Sequence, residues 1–408
     1  MTRPAAAIIL AAGKSIRMVT DLPKVLHEVC GRPMLAYVID ACRAAGIERI
    51  VCVVGYQKEA VIAAFDDPGI VWIDQADQKG TGHAATLCRE VLGDFDGNLV
   101  VIAGDMPLVR SETLELLIQR HEKERSAVTL ATAVLDDPNG YGRIVRDEYG
   151  NLEGIVEEGD CTAEQRRIKE INPSYYCFDN QLLFEALAEV RPDNVKGEYY
   201  ITDALHILIR GGHRAVAVTA VAADDAMGIN SRQQLAEVGR IMQNRIQQGL
   251  MKKGVTIVDP PNTWVDVRAQ IGQDTVIYPF SYIHGRVRIG RRCNIGPFAY
   301  LRDGTVLEDD VVVGVFTELK NSSLGSGTRA RHLSYIGDAA IGERVNVGAG
   351  TIFANFDGKR IHRATVGDDT YIGNGSILVA PLTVGSNEQI AHGSVVKVPE
   401  NPSGDGGS

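Results

Sequence analysis

The stretch Ile271-Gly-Gln-Asp-Thr-Val-Ile277-Tyr-Pro-Phe-Ser-Tyr-Ile283-His-Gly-Arg-Val-Arg-Ile289-Gly-Arg-Arg-Cys-Asn-Ile295-Gly-Pro-Phe-Ala-Tyr-Leu301 decides the fold of the C-terminal third of the chain. An aliphatic residue stands at every sixth position and continues through Leu307, Val313 and Leu319. The register resumes at Val366, Ile372, Leu378, Val384, Ile390 and Val396. Neither the helical period of 3.6 nor the strand period of 2 divides this pattern. A triangular parallel β-helix does: each coil has three six-residue sides, with an aliphatic pointing inward from each. Glycine follows the aliphatic at 272, 290, 296 and 367, where a small residue turns the corner. The register breaks between Leu319 and Val366, and residues 353–364 read as a loop thrown out of the coil. Such a break in a regular stack is where function tends to sit.

Upstream the pattern changes. Ala5 to Leu10, Ile50 to Val54, Val71 to Ile73, Leu99 to Ala103 and Val128 to Val134 are β-branched, continuously apolar runs. Between them, Met34 to Ala45, Thr81 to Val91 and Ser111 to Arg125 carry apolar residues at helical spacing. This alternation predicts an α/β domain with a parallel sheet covered on both faces, its ligands beyond the carboxyl ends of the strands. The loops after Leu10, Ile73 and Ala103 are therefore the places to search. A long helix follows, opened by Ser231 and Gln234 as a capping box and striped by Leu235, Val238, Met242, Ile246 and Leu250. The expected organisation is residues 1–230, a linker helix over 231–254, the β-helix over 255–398 and a polar tail over 399–408.

The 408 residues carry 42 basic and 52 acidic side chains, a formal net charge of −10, which argues against bulk-charge binding to nucleic acid or an anionic membrane. Seven scattered cysteines without a CxxC spacing fit buried thiols in a reducing compartment. The N-terminal apolar run is too short to span a membrane and lacks a cleavage-like flank, so a cytoplasmic location is expected.

LAAGKSIRM (10–18) and LPKVLH (22–27) place small residues and three cations, Lys14, Arg17 and Lys24, just past the first strand. Backbone amides and cations there suit a phosphate, although a solvated turn explains the same residues. A P-loop is excluded because Ile8 stands where its first glycine belongs, and no GxGxxG occurs. QADQKGTGHAA (75–85) offers glutamine amides able to read a base edge. AGDMPL (103–108) puts Asp105 past a buried strand, where it serves as a magnesium ligand or as a turn aspartate.

With NGYGRI (139–144), GIVE (154–157), EIN (170–172), GEYYITD (197–203) and GIN (228–230) following in order, the chain resembles the sugar-phosphate nucleotidylyltransferases. Within them it is most similar to the bifunctional N-acetylglucosamine-1-phosphate uridylyltransferase/glucosamine-1-phosphate acetyltransferase family. The resemblance implies a Rossmann-like nucleotidylyltransferase domain, a linker helix and a left-handed parallel β-helix. It implies that Leu10, Ala11, Ala12 and Gly13 hold the nucleotide, that Gln75, Gly80 and Thr81 recognise uracil, and that Arg17 and Lys24 contact phosphates. Gly140, Glu157, Asn172 and Asn230 would line the sugar pocket, with Asp105 and Asn230 on Mg²⁺. In the β-helix, His332 corresponds to the general base of acetyl transfer. Arg302, Lys320, Tyr335 and Asn346 correspond to glucosamine-1-phosphate contacts, and Ala349, Asn355, Phe356, Asn374 and His392 to the acetyl-CoA region. The implied substrates are UTP, N-acetylglucosamine-1-phosphate, glucosamine-1-phosphate and acetyl-CoA, and the implied assembly is a homotrimer.

This chain departs from the family at Ser15, where glycine is usual, and at Asn172-Pro173-Ser174 in place of Asn-Thr-Gly. It departs again at Phe356, where tyrosine is usual, and at Ile361, where a sugar-phosphate lysine is expected and Lys359 and Arg360 lie close by. Some early coils are missing, and NPSGDGGS (401–408) replaces a basic terminal segment. A uridylyltransferase whose β-helix serves only oligomerisation, and a non-catalytic nucleotide-sugar-binding regulator, are the alternatives. Retained Lys14, Arg17, Lys24, Asp105 and Asn230 speak against the latter.

Overall fold

The structure is a computed structural model that describes residues 3–14 and 16–398. Ser15 and the 399–408 tail, both singled out above, lie outside the described residues. The chain divides into two compact units, 1–239 and 240–408.

In the first unit, the central sheet runs in the order Ala215–Thr219, Val128–Val134, Glu170–Asp179, Asn98–Ala103, Ala5–Leu10, Arg49–Val54, Ile70–Asp74. Its middle strands are apolar on both faces, and Ala6 to Ile9, Leu99 to Ile102 and Val51 to Val53 are fully buried. Helices cover them, so the inner residues of these strands are core residues on both faces. The all-parallel expectation needs correction. The strand Glu170–Asp179 runs antiparallel to both of its neighbours, and a hairpin of Gly142–Arg146 and Leu152–Val156 joins it at Ile171 and Asn172. The ladder slips between Ile171 and Tyr175, where Ser174 takes φ +68°. A bulge there re-aims the side chains around it. The helix expected over 81–91 is two pieces, Thr81–Leu87 and Arg89–Leu92.

The long helix spans Arg232–Lys252. Ser231 Oγ accepts from the Gln234 N–H at 3.3 Å, while Gln234 Oε1 accepts from the Asn230 N–H at 2.8 Å. The expected box thus closes one residue early.

Among the described residues, the second unit is a stack of three parallel sheets with eight, eight and seven strands. The period-six aliphatics from Ile277 to Leu319 are all buried. Each such side chain contributes about 1.5–3 kcal/mol of transfer free energy. Gly272 packs against the next coil so closely that a Cβ would come within 2.5 Å of the Gly290 carbonyl. The expected break after Leu319 needs correction too. Coils continue through Leu324, Ala330, Ile336, Ile341, Val347 and Phe353, all buried, but two of their sides are one residue shorter. Among the described residues, only the segment between Ala354 and Ala364 leaves the stack, closed by a bridge from Phe356 to Ile361.

A β-helix ends in an open backbone edge, which invites pairing with another chain. Here the C-terminal half of the long helix covers it. Gln243 pairs both backbone groups of Val265, accepting its N–H at 3.0 Å and donating to its carbonyl at 2.6 Å. Gln247 donates to the carbonyls of Thr263 and Pro260. Among the described residues, no helix is long and apolar enough to cross a membrane. All seven cysteines are buried, and among the described residues none forms a disulfide.

Candidate active sites

The loops after Leu10, Asp74 and Ala103 converge on a cleft of about 490 Å³. Leu10, Ala11, Ala12, Gly13, Lys24, Gln75, Gly80, Thr81, Asp105 and Glu157 all line it. The loop following the first strand is anchored from below, where the Ala11 N–H bonds Val53 O and Tyr56 N–H bonds Ala12 O. From above, Gln78 clamps the same loop: its Nε2 donates to Ala12 O at 2.8 Å and its Oε1 accepts from Lys14 N–H at 3.3 Å. The Lys14 ammonium lies over the Tyr56 ring, 4.9 Å from its centroid.

Gln75 is 4% exposed, and its Nε2 faces Gly80 O and His83 Nδ1, each at 3.0 Å. Gly80 has φ +108°, and a Cβ there would meet Tyr199 O at 2.5 Å, so only glycine fits this turn. Thr81 Oγ1 accepts from the Ile201 N–H at 3.1 Å, which ties the cleft wall to the helix Ile201–Arg210.

At the mouth, the Lys24 ammonium bonds the Asp105 carboxylate and donates to Asn230 Oδ1 at 2.7 Å. Arg17 does not line the main cleft. It shares an adjacent hollow with Gly13, Lys14, Ile16, Lys24 and Asn230. Among the described residues, no three His, Cys, Asp or Glu side chains gather as a metal site. The cation candidate is therefore the Asp105–Asn230 pair, two hard oxygens that already converge on one ammonium.

Glu157 sits at the inner end of the cleft, where burial pushes its carboxyl above the ordinary glutamate range while a hydrogen bond from Thr202 at 3.2 Å opposes that shift. Asn172 lies beneath the lining: its Nδ2 donates to Tyr176 Oη at 2.6 Å and its Oδ1 accepts from Ser174 N–H at 3.0 Å. Gly140 is outside the lining, its N–H held by Glu158 at 3.2 Å. Gln78, Lys196, Tyr200 and Thr202 also line the cleft. Sequence reasoning missed these four, although the QADQKG and GEYYITD motifs contain three of them.

The second candidate site lies on the β-helix. Arg302 and Lys320 occupy adjacent coils in the register that pairs Leu301 with Leu319. Arg302 forms an ion pair with Glu318 at 2.9 Å, which raises the guanidinium pKa. Lys320 faces Asp338 at 3.7 Å. Asp338, 7% exposed, also accepts from Asn321 and Asn355, and Tyr335 Oη reaches Asn355 Oδ1 at 3.5 Å. His332 projects outward beyond the buried Ala330, as expected, and Asn346 is exposed as well. A short relay joins three further candidates. The Ala349 N–H donates to Asn374 Oδ1 at 2.9 Å, and the Asn374 N–H donates to His392 Nδ1 at 2.9 Å. Phe356 and Ile361 are 62% and 57% exposed on the extruded loop. Within that loop Asp357 accepts from His362 and from the Lys359 and Arg360 amides, holding its carboxyl down at about 2.

Comparison with known proteins agrees with this two-part architecture. Residues 7–201 match the MobA-like NTP transferase domain family, and residues 268–303 match the six-repeat bacterial transferase hexapeptide family. The bifunctional protein GlmU of Geotalea daltonii is 40% identical over 426 residues, covering 96% of this chain and 93% of that protein. Those of Brevibacillus brevis and Streptomyces avermitilis are 41% and 42% identical, each covering 97% of this chain, with 93% and 89% of the relative covered. These alignments run over more positions than the 408 residues of this chain, so the relatives carry internal segments that it lacks. A crystal structure of UDP-glucose pyrophosphorylase complexed with UDP-glucose shares the fold, with a TM-score of 0.51 at 19% identity, covering 59% of this chain and 99% of its own. On identity and coverage together, the chain belongs to the bifunctional GlmU family, in which a sugar nucleotidyltransferase is joined to a hexapeptide-repeat acyltransferase.

Proposed function

We propose that residues 1–230 transfer UMP from UTP to N-acetylglucosamine-1-phosphate, and that residues 255–398 acetylate glucosamine-1-phosphate from acetyl-CoA, with 231–254 as the joining helix. The product of the second site is then the substrate of the first, and the chain makes UDP-N-acetylglucosamine.

In the cleft, the Gln75 amide reads uracil, and the amides around Ala12 and Gly13 hold phosphate. Among the described residues those two N–H groups carry no hydrogen bond, unlike the neighbouring Ala11 and Lys14 amides. A phosphate oxygen of the sugar ester attacks the α-phosphorus in line, the bond to the β-phosphate oxygen breaks, and pyrophosphate leaves. No protein nucleophile is needed; positioning and cationic stabilisation by Lys24 and Arg17 carry the rate. Asp105 and Asn230 suit Mg²⁺, which takes oxygen ligands and needs few from protein when substrate phosphates supply the rest. When bound, Mg²⁺ neutralises charge on the triphosphate. Glu157 shapes the amino-sugar end, with Asn172 supporting it from beneath and Gly140 just beyond the lining.

On the β-helix, the glucosamine amine attacks the thioester carbonyl, an N–C bond forms, the C–S bond breaks and coenzyme A leaves. His332 takes the amine proton. Arg302, Lys320, Tyr335 and Asn346 hold the sugar phosphate, and the Ala349–Asn374–His392 relay with Asn355 and Phe356 lines the coenzyme A path. A homotrimer is supported by an exposed apolar ridge, in which Phe280, Phe298 and Phe316 stack at 4.9 and 5.1 Å beside exposed Leu333. The location is cytoplasmic.

The convergence of Lys24, Asp105 and Asn230 at the mouth of a cleft lined by unengaged amides carries this reading. Pyrophosphate release from UTP and N-acetylglucosamine-1-phosphate tests the first activity, and thiol release from acetyl-CoA with glucosamine-1-phosphate tests the second. Ile361, apolar where the family places a lysine, favours the alternative in which the β-helix only assembles the protein; the absence of thiol release together with a trimer in solution would support it.

A further inference from the structure

Asp105 and Asn230 are fixed to each other by backbone, whereas the cation between them is not. The Ile229 N–H donates to Asp105 O at 3.1 Å, and the Asn230 N–H is held by Gln234. Gly228 fills the remaining gap, since a Cβ there would lie 2.9 Å from Met106 Sδ and 3.9 Å from Asp105 Oδ1. Lys24 reaches this pair on a flexible four-carbon arm from the short turn Lys24–Leu26. Its ammonium bonds both oxygens, and the ion pair is largely buried, at 13% and 18% side-chain exposure. The same lysine borders two spaces, the main cleft and the hollow shared with Gly13, Lys14, Ile16 and Arg17. It can therefore swing from the carboxylate toward the phosphate loop while Asp105 and Asn230 stay in place.

We propose that Lys24 is a resident counter-ion that excludes divalent metal from the Asp105–Asn230 pair until nucleotide arrives. One carboxylate cannot compensate an ammonium and a divalent cation pressed onto the same two oxygens, so the two occupants exclude each other. Nucleotide phosphates offer the ammonium a second anionic partner in the adjoining hollow. Metal and nucleotide thus enter together, and one lysine couples the two events. This inference rests on the reading of Asp105 and Asn230 as the metal pair.

The test is Mn²⁺ binding to the full chain without nucleotide, followed by electron paramagnetic resonance of the unbound ion. Lys24→Met binds Mn²⁺ about tenfold or more tightly than wild type, within the usual range of coupling between sites. Lys24→Arg, which keeps the charge, stays as weak as wild type. Lys24→Ala gives the same gain if methionine perturbs the fold. Equal affinity of wild type, Lys24→Met and Lys24→Ala overturns the exclusion. The metal assignment is tested separately by adding Asp105→Asn to Lys24→Met. Loss of the tight site supports Asp105 as a ligand, and an unchanged tight site refutes that assignment.

Discussion

Asn355 donates its Nδ2 to Asp338 Oδ2 at 2.5 Å, tying the base of the extruded loop to a carboxylate buried within the coils. Asp338 also receives Asn321 Nδ2 at 2.7 Å and faces the Lys320 ammonium. One side chain therefore sets both the departure of the loop and the position of a proposed phosphate-binding lysine.

Removing that carboxylate strands three partners at the coil, Lys320, Asn321 and Asn355. Asp338→Ala is expected to cost about 1–3 kcal/mol of second-unit stability, since it leaves the buried Asn355 amide without its acceptor. Denaturant unfolding followed through Trp264 in a Trp72→Phe background measures it. Thiol release falls in the same variant, while pyrophosphate release does not.

Gln78 bridges Ala12 O and Lys14 N–H across Gly13. It holds the loop without itself being needed in the reaction, so Gln78→Met is expected to raise KM for UTP about tenfold and to change kcat by less than about twofold. Steady-state kinetics at saturating sugar phosphate separate the two effects.

His121 is 3% exposed among Ser126 and Thr129, and burial pulls its imidazole pKa down to about 4. Below about pH 6.5 the unfolded chain takes up a proton that the folded chain refuses until about pH 4. First-unit stability therefore falls as the pH drops through that window, by up to about 3 kcal/mol. His121→Gln flattens the slope. Unfolding followed through Trp72 in a Trp264→Phe background, from neutral pH down to about 4, reads it.

The inward aliphatics of the β-helix were legible because burial of one residue in six leaves a period that nothing else produces. Where Ala330 replaces a larger aliphatic and two sides lose a residue, that period vanishes from the sequence while the coil persists. The antiparallel course of Glu170–Asp179 was hidden for a different reason: a strand buried on both faces reads the same in either direction. The loops bearing the cleft followed from the alternation of strands and helices. The pairing of Asp105 with Asn230 was implied only by the family resemblance, and the meeting of Lys24 with both was not legible, because three distant segments make it and only the folded sheet brings them together.

His332, the proposed general base, is exposed on its coil. His332→Ala is expected to lower thiol release by about 10²–10⁴-fold, the usual contribution of a general base, and to leave pyrophosphate release unchanged. Equal losses in both assays would show that the two chemistries share a site.

Pyrophosphate release from UTP and N-acetylglucosamine-1-phosphate by wild type and by Asp105→Ala, with thiol release measured on the same preparations, is the most direct test of two chemistries on one chain. Wild type releases both products, and Asp105→Ala loses pyrophosphate release while retaining thiol release. An Asp105→Ala protein that still forms pyrophosphate at the wild-type rate would contradict the account.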